Sequence, residues 1–171
     1  MNGGKYIPNI NLIEITKILT NNNQKFVADI TEMANDFYAF YKKHEEWFDD
    51  ELSVLSIDEV ELDRTFVYWL LFKYSADIDW KEYIDEVLAQ LEGINENLGY
   101  PLDIDKIEID KEEETFKAYQ MINAHFSARG YKLIDLDSGG DSNYLFIAPE
   151  KECGRLAKLG AEIGFDFSTF D

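Results

Sequence analysis

The chain has 171 residues, with 35 Asp and Glu against 16 Lys and Arg, for a formal net charge of -19. Hydrophobic residues make up 46% and aromatics 15%, enough to bury one core and to exclude a disordered polyanion. The lone Cys153 excludes an internal disulfide framework and a zinc site built on several thiolates, and it fits a reducing cytoplasm.

Met1 to Pro8 has no apolar h-region, so no signal peptide is expected, and the first nine residues read as a loose or edge segment. Ile10 to Thr20 predicts a short helix capped by Asn9 or Asn11, and Asn21-Asn22-Asn23 predicts its end. Lys25 to about Phe48 predicts one long helix. Phe26, Ile30, Met33, Phe37 and Phe40 or Tyr41 recur there at three- and four-residue steps. Asp49 to Ile57 is a connector. Asp58 with Glu61 resembles a capping pair for the next helix, which turns Phe66, Val67, Trp69, Leu70 and Leu71 inward and ends near Tyr74. Its apolar run, Phe66 to Phe72, is far shorter than the ~18 residues of a membrane span, so no membrane insertion is expected.

Asp79 is the expected N-cap of a third long helix. Tyr83, Ile84, Val87, Leu88, Leu91, Ile94 and Leu98 form its apolar face, and Gly99 ends it. Leu102, Ile104, Ile107 and Ile109, set among acids, predict an extended segment. Asp110 opens a further helix with Phe116, Tyr119, Ile122 and Phe126 on one face and Gly130 past its end. Tyr131 to Leu136 and Asn143 to Ala148 predict two strands of a hairpin, joined by an Asp, Ser and Gly loop. Tyr144-Leu145-Phe146-Ile147 is apolar on both sides, so cover is expected on both faces. Pro149 opens a last helix with Cys153, Leu156, Ala157 and Ile163 inward, Gly164 closes it, and Phe165 to Phe167 predicts a short third strand. The expected fold is α+β: a helix-rich N-terminal part, a small antiparallel sheet with its hairpin at about 131–148, and a closing C-terminal helix, all in one domain over 1–171.

The charge is uneven. Glu45 to Glu114 carries -18, while the segments before and after it are close to balance. A phosphate backbone needs a basic footprint, and an anionic membrane surface repels this charge, so neither is an expected partner. Glu45, Glu46, Asp49, Asp50 and Glu51 form one cluster. Asp58, Glu59, Glu61 and Asp63 form a second, and the acids from Asp103 to Glu114 form a third. Such a surface steers a basic protein partner toward it. Trp47, Phe48 and Trp80 lie beside these clusters, and an aromatic anchor rimmed by charge is what tight interfaces use. The same residues also suit a plain core with solvated helix ends.

Asp135, Asp137 and Asp141 lie on and after the first hairpin strand and offer oxygen ligands to a metal such as calcium. Gly139 and Phe146 replace two of the ligands an EF-hand loop would need. The Asp135-Leu136-Asp137 run also looks like the nucleophile motif of haloacid-dehalogenase phosphatases, but too little chain follows it for that family's remaining groups. His44 follows Lys42 and Lys43 at a helix end, and His125 lies on a helix flank. Neither has a second His at zincin spacing. Cys153, on an apolar helix face, reads as a buried inert thiol. No phosphate loop, nucleophile elbow or dinucleotide fingerprint is present, so no cofactor and no catalytic residue are expected.

The stretch Tyr131-Lys132-Leu133-Ile134-Asp135-Leu136-Asp137-Ser138-Gly139-Gly140-Asp141-Ser142-Asn143-Tyr144-Leu145-Phe146-Ile147-Ala148-Pro149 resembles a bacterial family of uncharacterised acidic cytoplasmic proteins. The resemblance covers the hairpin and helix at about 131–164 and implies no activity. The resulting expectation is a non-enzymatic acidic binding protein, such as an immunity or inhibitor protein for a basic partner. The alternative is a metal-binding protein or small hydrolase using loop 135–141.

Overall fold

Eight helices and a four-stranded antiparallel sheet form among the described residues, in the computed structural model that describes residues 9–54, 56–60, 62–79, 83–110, 113–137 and 142–171. The expected α+β class is therefore what forms.

Helix α1 (Asn9–Leu19) is nearly surrounded by protein, with Leu12, Ile15, Thr16 and Leu19 fully buried. Its threonines are tolerated inside because each hydroxyl donates back along the helix: Thr16 to the Leu12 carbonyl at 2.8 Å and Thr20 to that of Thr16 at 2.7 Å. The predicted long helix over 25–48 is instead three: α2 (Gln24–Asn35), α3 (Phe37–Lys43) and α4 (Glu45–Leu52). Asp36 makes the first break. Its backbone leaves the helical region (φ -145°, ψ 79°) while its carboxylate accepts the Ala39 N–H at 3.0 Å, so one residue ends α2 and caps α3. His44 makes the second, at φ -121° and ψ 24°. The apolar steps run on across both breaks, because the three helices bury the same side. Ser53 ends α4 in the left-handed region at φ 52°.

Helix α5 (Leu62–Tyr74) leads into an edge strand, β1 (Ala76–Asp79), that the sequence reading missed. Asp79 therefore closes a strand, and it does not cap the third long helix. That helix, α6 (Ile84–Leu98), has Tyr83 before it, whose N–H donates to Glu86 Oε2 at 3.4 Å. Gly99, at φ 67°, ends it in a conformation costly for any side chain. The segment expected to be extended at 102–109 holds a 3-10 turn at Ile104–Lys106, and the next helix, α7 (Thr115–Ser127), starts five residues after Asp110.

Strands β2 (Tyr131–Asp137) and β3 (Ser142–Pro149) form the predicted hairpin, in the register Leu133↔Ile147 and Asp135↔Leu145. β1 pairs with the free side of β3, and β4 (Phe167–Thr169) pairs with β2, giving the order β1-β3-β2-β4. Leu133, Leu145 and Ile147 alternate with Ile134, Leu136 and Phe146, and all six are buried, so both faces of the hairpin are covered as expected. Helix α8 (Glu150–Ile163) starts after Pro149, ends at Gly164 (φ 91°), and packs against α1. Asn11 Nδ2 ties the two helices by donating to Glu162 Oε2 at 2.8 Å. Among the described residues, no helix is long and apolar enough to cross a membrane.

Candidate functional site

Helix α4 gathers the first acidic cluster. Glu45, Glu46, Asp49, Asp50 and Glu51 are all exposed, while Phe48 on the opposite side is fully buried and anchors the helix. Glu45 pairs with Lys42, and among the described residues the other four carboxylates form no ion pair. Asp49, Asp50 and Glu51 occupy the last turn, which carries no basic residue. Unpaired acids there oppose the helix dipole, at a cost of about 0.3–1 kcal/mol each before screening.

The other predicted clusters differ. Asp103, in the third, pairs with Lys106 and with Arg129 at the end of α7, both at 3.0 Å, and these partners hold its carboxyl below the usual range. Glu113 pairs with Lys117 at 2.9 Å. These acids brace the loops that carry them. In the second cluster Asp58 is exposed in a 3-10 turn, and Glu61 lies outside the described residues. Trp80 also lies outside them.

Trp47 is half-buried and connects α4 to a feature absent from the sequence reading. It lines a cavity of about 350 Å³ between α2, the α3–α4 joint and α5, together with Asn23, Lys25, Phe26, Asp29, His44, Trp69, Lys73 and Tyr74. Trp69 is the hub of its wall. Its ring centroid lies 4.7 Å from Trp47, 4.7 Å from His44 and 5.0 Å from Phe40, each tilted 65–76° from it. Such edge-on contacts are the favoured geometry of aromatic pairs. Burial first, then the nearby Lys43 charge, lowers the His44 pKa, so the ring stays neutral and the cation preference of a helix end does not set its charge. His44 Nε2 and Trp69 Nε1 are both buried and have no hydrogen-bond partner among the described residues. Lys43 crosses from α3 to α2, reaching Glu32 at 2.6 Å and Asp29 at 3.9 Å.

The predicted metal ligands fall elsewhere. Asp135 and Asp137 lie two residues apart on β2, so they share a face. Asp135 is half-buried and Asp137 exposed. Burial pushes the Asp135 pKa up to about 6, and the charges of Asp137 and Asp166 add to the shift. Asp135 Oδ1 has no hydrogen-bond partner among the described residues. Asp141 lies outside the described residues, and among those described no group of three His, Cys, Asp or Glu could hold a metal ion. Cys153 is half-buried, and burial raises its thiol pKa, which favours the inert form. His125 is half-buried, with its pKa lowered by burial and by Arg129.

The residues missed in sequence, His44, Trp69, Phe26 and Tyr74, come from helices whose contacts no local spacing encodes. Asp29, Lys25 and Lys73 at the cavity likewise carry no motif. A family profile described as "Domain of unknown function (DUF6630)" matches residues 11–170, and the chain belongs to this family. The match spans nearly the whole chain, well beyond the C-terminal third that carried the sequence resemblance. No curated protein and no solved structure matches the chain.

Proposed function

We propose that this DUF6630-family chain is a non-enzymatic binding protein that holds a basic protein partner on α4, as an inhibitor or immunity protein would. One observation carries this reading: Glu46, Asp49, Asp50 and Glu51 are exposed and form no ion pair among the described residues, and the last three crowd the final turn of a short helix, where their charge opposes folding. Solubility alone does not require that placement, since the remaining acids already leave the chain strongly negative. Surfaces that give up stability in this way are common where a partner supplies the missing charge. Trp47, half-buried beside them, provides the aromatic component of such an interface. The compartment this reading implies is a reducing cytoplasm.

The test is affinity capture from lysate with the purified chain as bait, at low salt and at high salt. The expected result is a cationic protein retained at low salt and released at high salt. Recovery of no cationic protein at low salt, or retention indifferent to salt, contradicts the reading.

A second reading rests on Asp135. Burial first, and then the charges of Asp137 and Asp166, disfavour its ionised form, and a divalent cation bound with Asp137 and Asp141 would offset the repulsive part. Calcium and magnesium titrations by calorimetry test it. Binding heat with a raised Tm supports it, and no heat with an unchanged Tm removes it.

A further inference from the structure

The cavity between α2, α4 and α5 has a character opposite to its acidic surroundings. Its walls are aromatic rings. Lys25 and Lys73 also line it, and both are exposed and outside any ion pair among the described residues. Among the described lining residues the one carboxylate is Asp29, which is half-buried and offset by Lys43 at 3.9 Å. Helix α2 begins at the cavity with Asn23 as its N-cap and no acid in its first turn, so its positive end adds to the field of the lysines. The two unpartnered ring nitrogens, on His44 and Trp69, are sealed from the cavity surface. Recognition therefore falls to ring faces and lysines.

We propose that this cavity binds a small planar aromatic carboxylate, with its ring among Phe26, Trp47 and Trp69 and its carboxylate at Lys25 and Lys73. The volume lies at the lower end of the ~300–1,000 Å³ typical of ligand pockets, which suits one or two fused rings. Trp47 meets Trp69 at 75° and Phe26 meets Tyr74 at 77°, so the walls present both edges and faces to a flat guest. Ring faces also attract organic cations. The two lysines decide against that class and favour an anion. This site is separate from the exposed carboxylates of α4, although Trp47 borders both.

The test is calorimetric titration of the full chain with naphthylacetate, with the cationic naphthylethylamine, and with the saturated decahydronaphthylacetate. The expected result is binding of naphthylacetate about ten-fold tighter than either comparison compound, since one charge contact or one set of ring contacts separates each pair. A Lys25→Gln/Lys73→Gln variant loses about ten-fold in affinity for naphthylacetate with its Tm unchanged, both side chains being exposed. Added salt weakens wild-type binding in parallel. No heat from naphthylacetate, equal binding of the amine or of the saturated acid, full affinity in the double variant, or salt-indifferent binding would each overturn the proposal.

Discussion

Helix α4 and strand β2 both carry closely spaced carboxylates, yet the fold treats them differently. On α4 the acids face water, and their charge acts on the helix end and on whatever approaches from solvent. On β2, Asp135 is drawn half into the core beside Asp137, and its charge acts on the fold itself. An acid-rich stretch is therefore no single signal. The same residue type is a steering surface in one place and a cost to folding in the other, and burial decides which. The third cluster shows a further outcome, in which Asp103 and Glu113 are used up in ion pairs that fasten loops.

The comparison is broken most severely from the core. Phe40→Ala empties a fully buried site against His44, Phe48 and Trp69, and Phe146→Ala does the same within the sheet. Each should cost about 3–5 kcal/mol in urea unfolding, and tryptophan fluorescence and far-UV dichroism should report one shared transition. Separate transitions would show that the helical part and the sheet fold independently.

Asp135→Asn should act in the other direction. The folded pKa, about 6, lies above the ordinary value of 3.8, so the folded protein disfavours the ionised form. The cost is present in full above about pH 6 and fades as pH falls toward 4. The full shift corresponds to about 3 kcal/mol, and partial solvation reduces it to about 1–2 kcal/mol. The variant should thus be more stable than wild type near pH 7.5 and equal to it near pH 3.5, by chemical denaturation at each pH.

On α4, Asp49→Asn/Asp50→Asn/Glu51→Gln removes three charges that oppose the helix dipole. Together these should raise stability by about 1 kcal/mol at low salt, and by less as salt is added. A Tm that falls instead would mean that these carboxylates support the fold. The smallest effect concerns His44. Its folded pKa lies below the ordinary 6.5, so the stability it contributes is complete above that value and is lost as pH falls through it. This runs opposite to the Asp135 effect. His44→Phe should reduce the loss between about pH 7.5 and 5.5, with His125, also held low by burial, supplying the remainder.

Local signals made much of this fold legible. Local patterning found α1, the apolar face of α6 from Ile84 onward, and Tyr119, Ile122 and Phe126 on the inward side of α7, whereas Tyr83 and Phe116, expected on those faces, are exposed; turn residues found the β2–β3 hairpin. Pro149 and Gly164 marked both ends of α8. Two elements escaped for physical reasons. The breaks at Asp36 and His44 leave the apolar rhythm intact, and the Asp36 carboxylate, a good cap, is indistinguishable in sequence from an exposed helical acid. Strand β1 is four residues long, and its pairing with β3 joins segments almost seventy residues apart. Of the predicted site, α4 was found by composition and its exposure follows from Phe48 taking the buried side. The aromatic cavity was not, since it exists only where three helices meet.

The central claim is that α4, and not acidity in general, holds a basic partner. The most direct measurement compares capture of that cationic protein by wild type and by two variants of equal charge. One is Glu46→Gln/Asp49→Asn/Asp50→Asn/Glu51→Gln. The other neutralises four exposed acids elsewhere: Glu96→Gln/Asp105→Asn/Glu108→Gln/Glu114→Gln. Capture lost in the first variant and kept in the second is the predicted result, whereas equal loss in both, or loss in neither, would contradict it.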